Sequence, residues 1–164
     1  MRHGAVTTLY VLIGVPGSGK SSWAQRNAER LAAIIVGSDQ VRNDFRQSGR
    51  NPLDGDAVFA EVERRTREQL AAGQNVILDA THYLRRYRTY AVNLGQALGA
   101  RRVALWFDVP LADCLRRNAD RSDLAFGDEI VPERIVREMF QQLQLPQPDE
   151  FDEIRRLTPE DHPA

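Results

Sequence analysis

Lysine is almost absent from this chain. Of its 22 basic residues among 164, 21 are arginine and the one lysine is Lys20. Cysteine is equally scarce: Cys114 stands alone, which excludes an internal disulfide and a cysteine-built metal cage and suits a reducing compartment. No apolar run approaches the roughly 18 residues that span a bilayer, and the N-terminus has no apolar stretch of the kind that directs secretion. No membrane partner and a cytoplasmic location are therefore expected. Repeats, linkers and low-complexity tracts are also missing, so residues 1–164 read as one domain, long enough to bury a core without staples. A net charge of −1 excludes an indiscriminate nucleic-acid binder. It hides an asymmetry, however: residues 80–107 hold five arginines and no carboxylate, whereas 108–164 hold fourteen Asp and Glu. A local basic patch is expected from that contrast.

What is present centres on Lys20. It lies in Gly14-Val15-Pro16-Gly17-Ser18-Gly19-Lys20-Ser21, a full match to GxxxxGK[ST]. A chain that uses arginine everywhere else requires at this position a compact, flexible ammonium that reaches a phosphate as a point charge. The glycines allow backbone N–H groups to turn inward around phosphates, and the N-terminus of the next helix adds positive potential. Ser21 is placed to hold Mg²⁺, with Ser22 beside it in the first helical turn. An apolar run at 8–13 precedes the loop and a helical pattern at 19–31 follows it, which is the context the motif needs. Binding of a nucleoside triphosphate, ATP with Mg²⁺, is the expectation.

Further apolar, β-rich runs occur at 33–37, 75–79 and 102–108, with a weaker one at 153–157. Helical patterns fill 55–72, 84–98, 110–119 and 132–143. Continuous apolar strands separated by helices indicate an α/β domain with a parallel sheet covered on both faces. The helix at 84–98 places Tyr87, Tyr90, Ala91, Leu94 and Leu98 on one side as an apolar stripe, and the tail at 158–164 is expected to fray. Chemistry gathers beyond the carboxyl ends of parallel strands. There the chain delivers the phosphate loop, Ser38-Asp39, Asp79-Ala80-Thr81-His82 and Asp108.

Asp79 ends an apolar strand, the arrangement in which an acid holds Mg²⁺ directly or through its waters; the alternative is a helix N-cap, which Thr81 could fill equally well. Asp39 can accept a hydroxyl proton. Arg42 shares its helical face three residues on and can point at the same phosphate, the alternative being N-capping with an ion pair. Arg117 and Arg121, four apart, can grip the transferring phosphoryl group, against a solvated face on which Asp113 pairs with Arg117. The segment 117–131 suits a lid. Arg85, Arg86 and Arg88 open a helix at the end where cations are disfavoured, which suggests an anionic partner, against a merely solvated face. His82, lacking metal-ligand company, reads as structural.

These residues together resemble the P-loop polynucleotide 5′-hydroxyl kinase family, the kinase modules of phage polynucleotide kinase and bacterial RNA end-healing enzymes, among the small AAA-type P-loop kinases. The resemblance runs from about Leu9 to Leu157 through GVPGSGKS (14–21), GSDQVR (37–42), GDAVFAEV (55–62), VILDATH (76–82), CLRRNADR (114–121) and FGDEIV (126–131). It implies a three-layer fold with a five-stranded parallel sheet in the order 2-3-1-4-5 and a helical lid. It also implies that Lys20 and Ser21 handle phosphates and Mg²⁺, that Asp39 is the general base and that Arg42 assists at the acceptor. Arg117 and Arg121 would clamp the donor phosphates. Asp56, Thr81 and Arg88 would stand on the acceptor side. Family members usually carry Asn where this chain has His82. The expected activity is Mg-ATP-dependent phosphorylation of a DNA or RNA 5′-hydroxyl, that nucleic-acid end being the expected partner. The alternatives are a kinase of a small hydroxyl compound (a sugar, an antibiotic, a nucleotide-sugar or an aminoacyl group) and an NTP-hydrolysing switch. The oligomeric state stays open, a homodimer included.

Overall fold

The computed structural model describes residues 5–120 and 130–161. Five strands form one parallel sheet: β1 (Thr8–Ile13), β2 (Ala33–Gly37), β3 (Asn75–Asp79), β4 (Arg101–Phe107) and β5 (Glu153–Leu157). Their order is β2-β3-β1-β4-β5, as expected. β1 is central because its run Leu9–Ile13 has no polar residue to place in water, and both its neighbours are needed to cover it.

Six helices complete the fold: α1 (Lys20–Asn27), α2 (Ser38–Gln47), α3 (Gly55–Ala71), α4 (Arg85–Ala97), α5 (Leu111–Ala119) and α6 (Glu133–Gln142). Side chains alternate across a strand, and the core divides accordingly. Leu9, Val11 and Ile13 pack with Val41 and Phe45 of α2, Val58 and Val62 of α3, and Ala91 and Leu94 of α4. Tyr10 and Leu12 pack on the other face with Trp23 and Ala24 of α1. A third cluster, Val15, Val109, Cys114 and Val136, ties the loop after β1 to α5 and α6. The result is the three-layer α/β arrangement of a P-loop kinase fold. No helix among the described residues is long and apolar enough to cross a membrane.

Two local expectations are corrected. β4 begins and ends one residue earlier than the apolar run suggested. On α4 the buried residues are Arg88, Ala91, Leu94 and Gly95, while Tyr87 and Leu98 of the expected stripe are exposed. Arg88 takes the place of an apolar residue because an acid on another segment meets it inside. At the start of the tail the Thr158 N–H and hydroxyl each donate to Asp161 Oδ2 at 2.9 Å.

Candidate active site

The loop between β1 and α1 is fixed by close contacts that only glycine permits. Gly17 has φ +84°, and a Cβ there would lie 2.1 Å from the Cys114 carbonyl oxygen of α5. Gly19, at φ 94°, stands at the N-cap of α1. These are left-handed conformations that cost L-residues free energy. Gly17→Ala is therefore expected to lower stability by more than about 1 kcal/mol and to weaken nucleotide binding; melting curves with and without Mg-ATP read both. Gly14 N–H donates to the Thr81 carbonyl at 3.0 Å, joining the loop to the segment after β3.

Within this cradle Lys20 is buried, and its Nζ donates to the Val15 carbonyl at 3.0 Å. Val15 and Ser18 are buried, Pro16 lines the adjoining cavity, and Ser22 is exposed on the first turn of α1. The Ser21 hydroxyl donates to Asp79 Oδ2 at 2.7 Å. A hydroxyl and a carboxylate oxygen at this separation, at the end of the phosphate loop, fit the hard-oxygen preference of Mg²⁺, which usually takes one or two protein oxygens and completes its shell with water and phosphate. Asp79 does not cap α4, whose N-cap is Leu84; the capping alternative is dropped.

One cavity of about 830 Å³ opens beside Lys20, Ser21 and Asp79, and Asp39, Arg42, Asp56 and Thr81 line it as well. Asp39 lies in the first turn of α2 and its Oδ1 accepts from Arg42 Nη1 at 3.1 Å. It is not the N-cap, which is Gly37; Asp54 caps α3 by accepting from the Ala57 N–H at 3.1 Å. Residues not singled out one by one from sequence also line the cavity, among them Arg46, Leu53, Phe59, Glu63, Tyr83, Val131 and Met139. Some of these were readable: Arg46 follows Arg42 by four, and Asp56, Phe59 and Glu63 share one face of α3.

α5, which approaches the loop at Gly17 through the backbone of Cys114 and Asn118, carries Arg117. Asp113 pairs with Arg116 at 3.0 Å, not with Arg117 as the alternative reading required. Arg117 Nε and Nη1 are buried and have no hydrogen-bond partner among the described residues, and Arg117 is not among the residues that line the cavity. Burial pushes the Cys114 thiol up to about 11, although the charges of Lys20 and Arg117 pull the other way, so this thiol is inert. Arg121 and most of the expected lid lie outside the described residues.

His82 is fully enclosed, at φ 48°, in the left-handed region that Asn and His enter more readily than most residues. Its Nδ1 must donate to the Leu12 carbonyl, 2.8 Å away, because that oxygen only accepts. Burial first, then the nearby Lys20 and Arg88 charges, hold its pKa at about 4 rather than 6.5. The ring is thus neutral, and Nε2 accepts from the Tyr90 hydroxyl at 2.7 Å. Because the folded value is depressed, the unfolded chain binds more protons between pH 6.5 and 4. Stability should be full above pH 6.5 and fall by up to about 3 kcal/mol as pH drops towards 4. Melting temperatures across that range, compared with His82→Asn, check this; the variant should lose most of the slope.

Arg88 is a correction. It is fully buried and absent from the cavity wall. Its five N–H donors reach Glu150 Oε2 and Oε1 at 2.8 Å each, and the carbonyls of His82, Gln144 and Leu145 at 3.1, 2.8 and 3.1 Å. No donor is left for a substrate. The expected basic patch shrinks for the same reason: Arg85 meets Asp149 at 2.6 Å, Arg101 meets Glu153 at 2.7 Å and Arg102 meets Asp152 at 3.5 Å. The acidic stretch 149–153 folds over the basic one. Asp108, at the end of β4, is likewise held by Arg156 at 2.6 Å.

Comparison with known proteins agrees with this architecture. The Pnkp1/Rnl/Hen1 RNA repair complex contains a chain that superposes with a TM-score of 0.71 at 24% identity, over 87% of this chain and 46% of that one. The Mycobacterium tuberculosis APS kinase CysC, solved with AMPPNP and APS, gives 0.63 at 24% identity, over 94% and 90%. In sequence, L-seryl-tRNA(Sec) kinase of Methanococcus maripaludis is 24% identical over 148 residues, covering 84% of this chain and 53% of that protein. The chain thus spans about half the length of that curated relative. Residues 9–146 match the family described as AAA domain, and with the phosphate loop in place within that span, the chain belongs to the AAA domain family.

Proposed function

We propose that this protein transfers the γ-phosphoryl group of Mg-ATP to the 5′-hydroxyl end of DNA or RNA. The observation that carries this reading is the presence in one cavity of a phosphate and metal set (Lys20, Ser21, Asp79) and, on a separate helix, the exposed Asp39–Arg42 pair. An NTPase switch that hydrolyses without an acceptor has no use for the second set. In the proposed step Asp39 takes the proton of the acceptor hydroxyl, whose oxygen forms the new P–O bond as the bond to the ADP oxygen breaks. Arg42 neutralises charge on the acceptor side, with Asp56 and Thr81 at the same wall; Lys20 and Arg117 hold the donor phosphates, and Arg121 is assigned beside Arg117. Ser21 and Asp79 would hold Mg²⁺, which when bound would supply neutralisation of phosphate charge.

A second reading, phosphorylation of a small or aminoacyl hydroxyl, is favoured by the similarity to L-seryl-tRNA(Sec) kinase over 84% of this chain. γ-Labelled ATP offered with a 5′-hydroxyl oligonucleotide and, separately, with hydroxyl metabolites distinguishes the two. The proposed function predicts label on the oligonucleotide, lost in Lys20→Ala and weakened as salt rises. Label on a neutral metabolite alone, insensitive to salt, selects the second.

A further inference from the structure

Four of the five arginines in 80–107 are matched to carboxylates of 149–153. The fifth, Arg86, makes no ion pair among the described residues, although it sits in the first turn of α4, where the helix dipole disfavours a cation. Its partner is aromatic: the guanidinium lies 4.9 Å from the centroid of Tyr87, and Nη2 donates to the Tyr87 hydroxyl at 3.2 Å. Tyr83 completes the group, its ring 5.4 Å from that of Tyr87 and tilted by 59°. All three line the cavity that holds Asp39. Tyr87 nevertheless remains 44% exposed, more than core packing requires of a tyrosine so placed.

The group is held rigidly from behind. The Tyr83 carbonyl accepts from Gln144 N–H at 2.8 Å, and the Arg85 N–H donates to Gln144 Oε1 at 2.8 Å. Gln144, a few residues ahead of the segment that neutralises the other arginines, thus fixes the start of α4, and Arg86 and Tyr87 line the cavity.

A half-exposed aromatic ring with a guanidinium over it suits one chemistry above others, the π-face of a nucleobase. A hydroxyl or a phosphate group alone has no π-face to lay against that ring. The volume, about 830 Å³, is within the range of sites for nucleotide-sized ligands. We propose that Tyr87 and Arg86, backed by Tyr83, form the stacking platform for the base of the acceptor's terminal nucleotide. This rests on the proposed function, since it takes Asp39 to act on that nucleotide's 5′-hydroxyl. It makes the protein a reader of the terminal nucleoside that tolerates any base, because every base has a π-face.

The test uses two trinucleotides with 5′-hydroxyl ends, one complete and one carrying an abasic first residue. Their affinities are measured by calorimetry with the full chain and its Tyr87→Ala, Tyr87→Phe and Arg86→Ala variants. The complete trinucleotide should bind about tenfold or more tighter than the abasic one. That preference should persist in Tyr87→Phe, which keeps the ring, shrink in Arg86→Ala and vanish in Tyr87→Ala. Equal affinities in the unaltered protein, no binding of either, or an undiminished preference in Tyr87→Ala would overturn the platform. Transfer is scored separately on the same pair. Base preference in binding with no phosphorylated product refutes the proposed reaction and leaves the platform standing; product from both trinucleotides with equal efficiency refutes the platform alone.

Discussion

Arg88→Met is expected to destabilise the protein by about 3–5 kcal/mol, which for a domain of this size lowers the melting temperature by roughly 10 °C or more. The reason is what stays behind. Glu150 is 3% exposed, and with Arg88 gone its carboxylate would be buried without its counter-charge, while three carbonyls lose their donors. The double variant Arg88→Met/Glu150→Leu should recover a large part of the loss, since removing both charges avoids the unpaired one. Thermal melting of the two variants decides the matter. If Arg88 instead served the acceptor, Arg88→Met would impair transfer with little change in melting temperature. The same hub holds the His82 carbonyl, and His82 in turn is bonded to β1 and Tyr90, so the wall carrying Thr81 and Tyr83 depends on it.

Asp39→Ala should produce the opposite pattern: a loss of transfer with an intact fold. Asp39 is half exposed, and its pairing with Arg42 is a surface ion pair worth about 1 kcal/mol at most. In its proposed role as general base it would contribute about 10²–10⁴-fold to the rate, so kcat should fall by that factor while Mg-ATP binding, which the proposal assigns to the loop and the Ser21–Asp79 pair, stays unchanged. Single-turnover transfer together with equilibrium nucleotide binding separates these. Transfer at the unaltered rate would remove Asp39 from the proposed chemistry, and equal losses of binding and transfer would place it in the nucleotide site instead.

Much of this fold was legible because its signals are local. The run Leu9–Ile13 can only be a strand buried on both faces, and the glycine spacing of 14–21 can only serve close backbone approach. Asp79 ends one β-strand and Ser21 follows the loop that leaves another, and the sheet order that the family resemblance implied put those strands side by side. The acid-free stretch 80–107 could not be read correctly, since its neutralising carboxylates lie some fifty residues away, at 149–153, and side chains separated so far in sequence leave no periodic trace. Arg88 is the sharpest instance. By residue type it belongs on a surface, and only the arrival of Glu150 makes its burial tolerable. The aromatic wall was half visible: Tyr87 lay on the helical stripe and was assigned to the core, whereas packing consumed Ala91 and Leu94 and left Tyr87 at the cavity.

The proposed transfer is tested most directly by one matched comparison: two oligonucleotides of the same sequence, one ending in a 5′-hydroxyl and the other in a 5′-phosphate, each incubated with Mg²⁺ and γ-labelled ATP. Label should enter the hydroxyl-ended strand alone, one ADP should appear for each label transferred, and nuclease digestion should release the label as a 5′-nucleotide. ADP released at the same rate with either strand, or with neither, and no label on the oligonucleotide would contradict the assignment of the 5′-hydroxyl as acceptor.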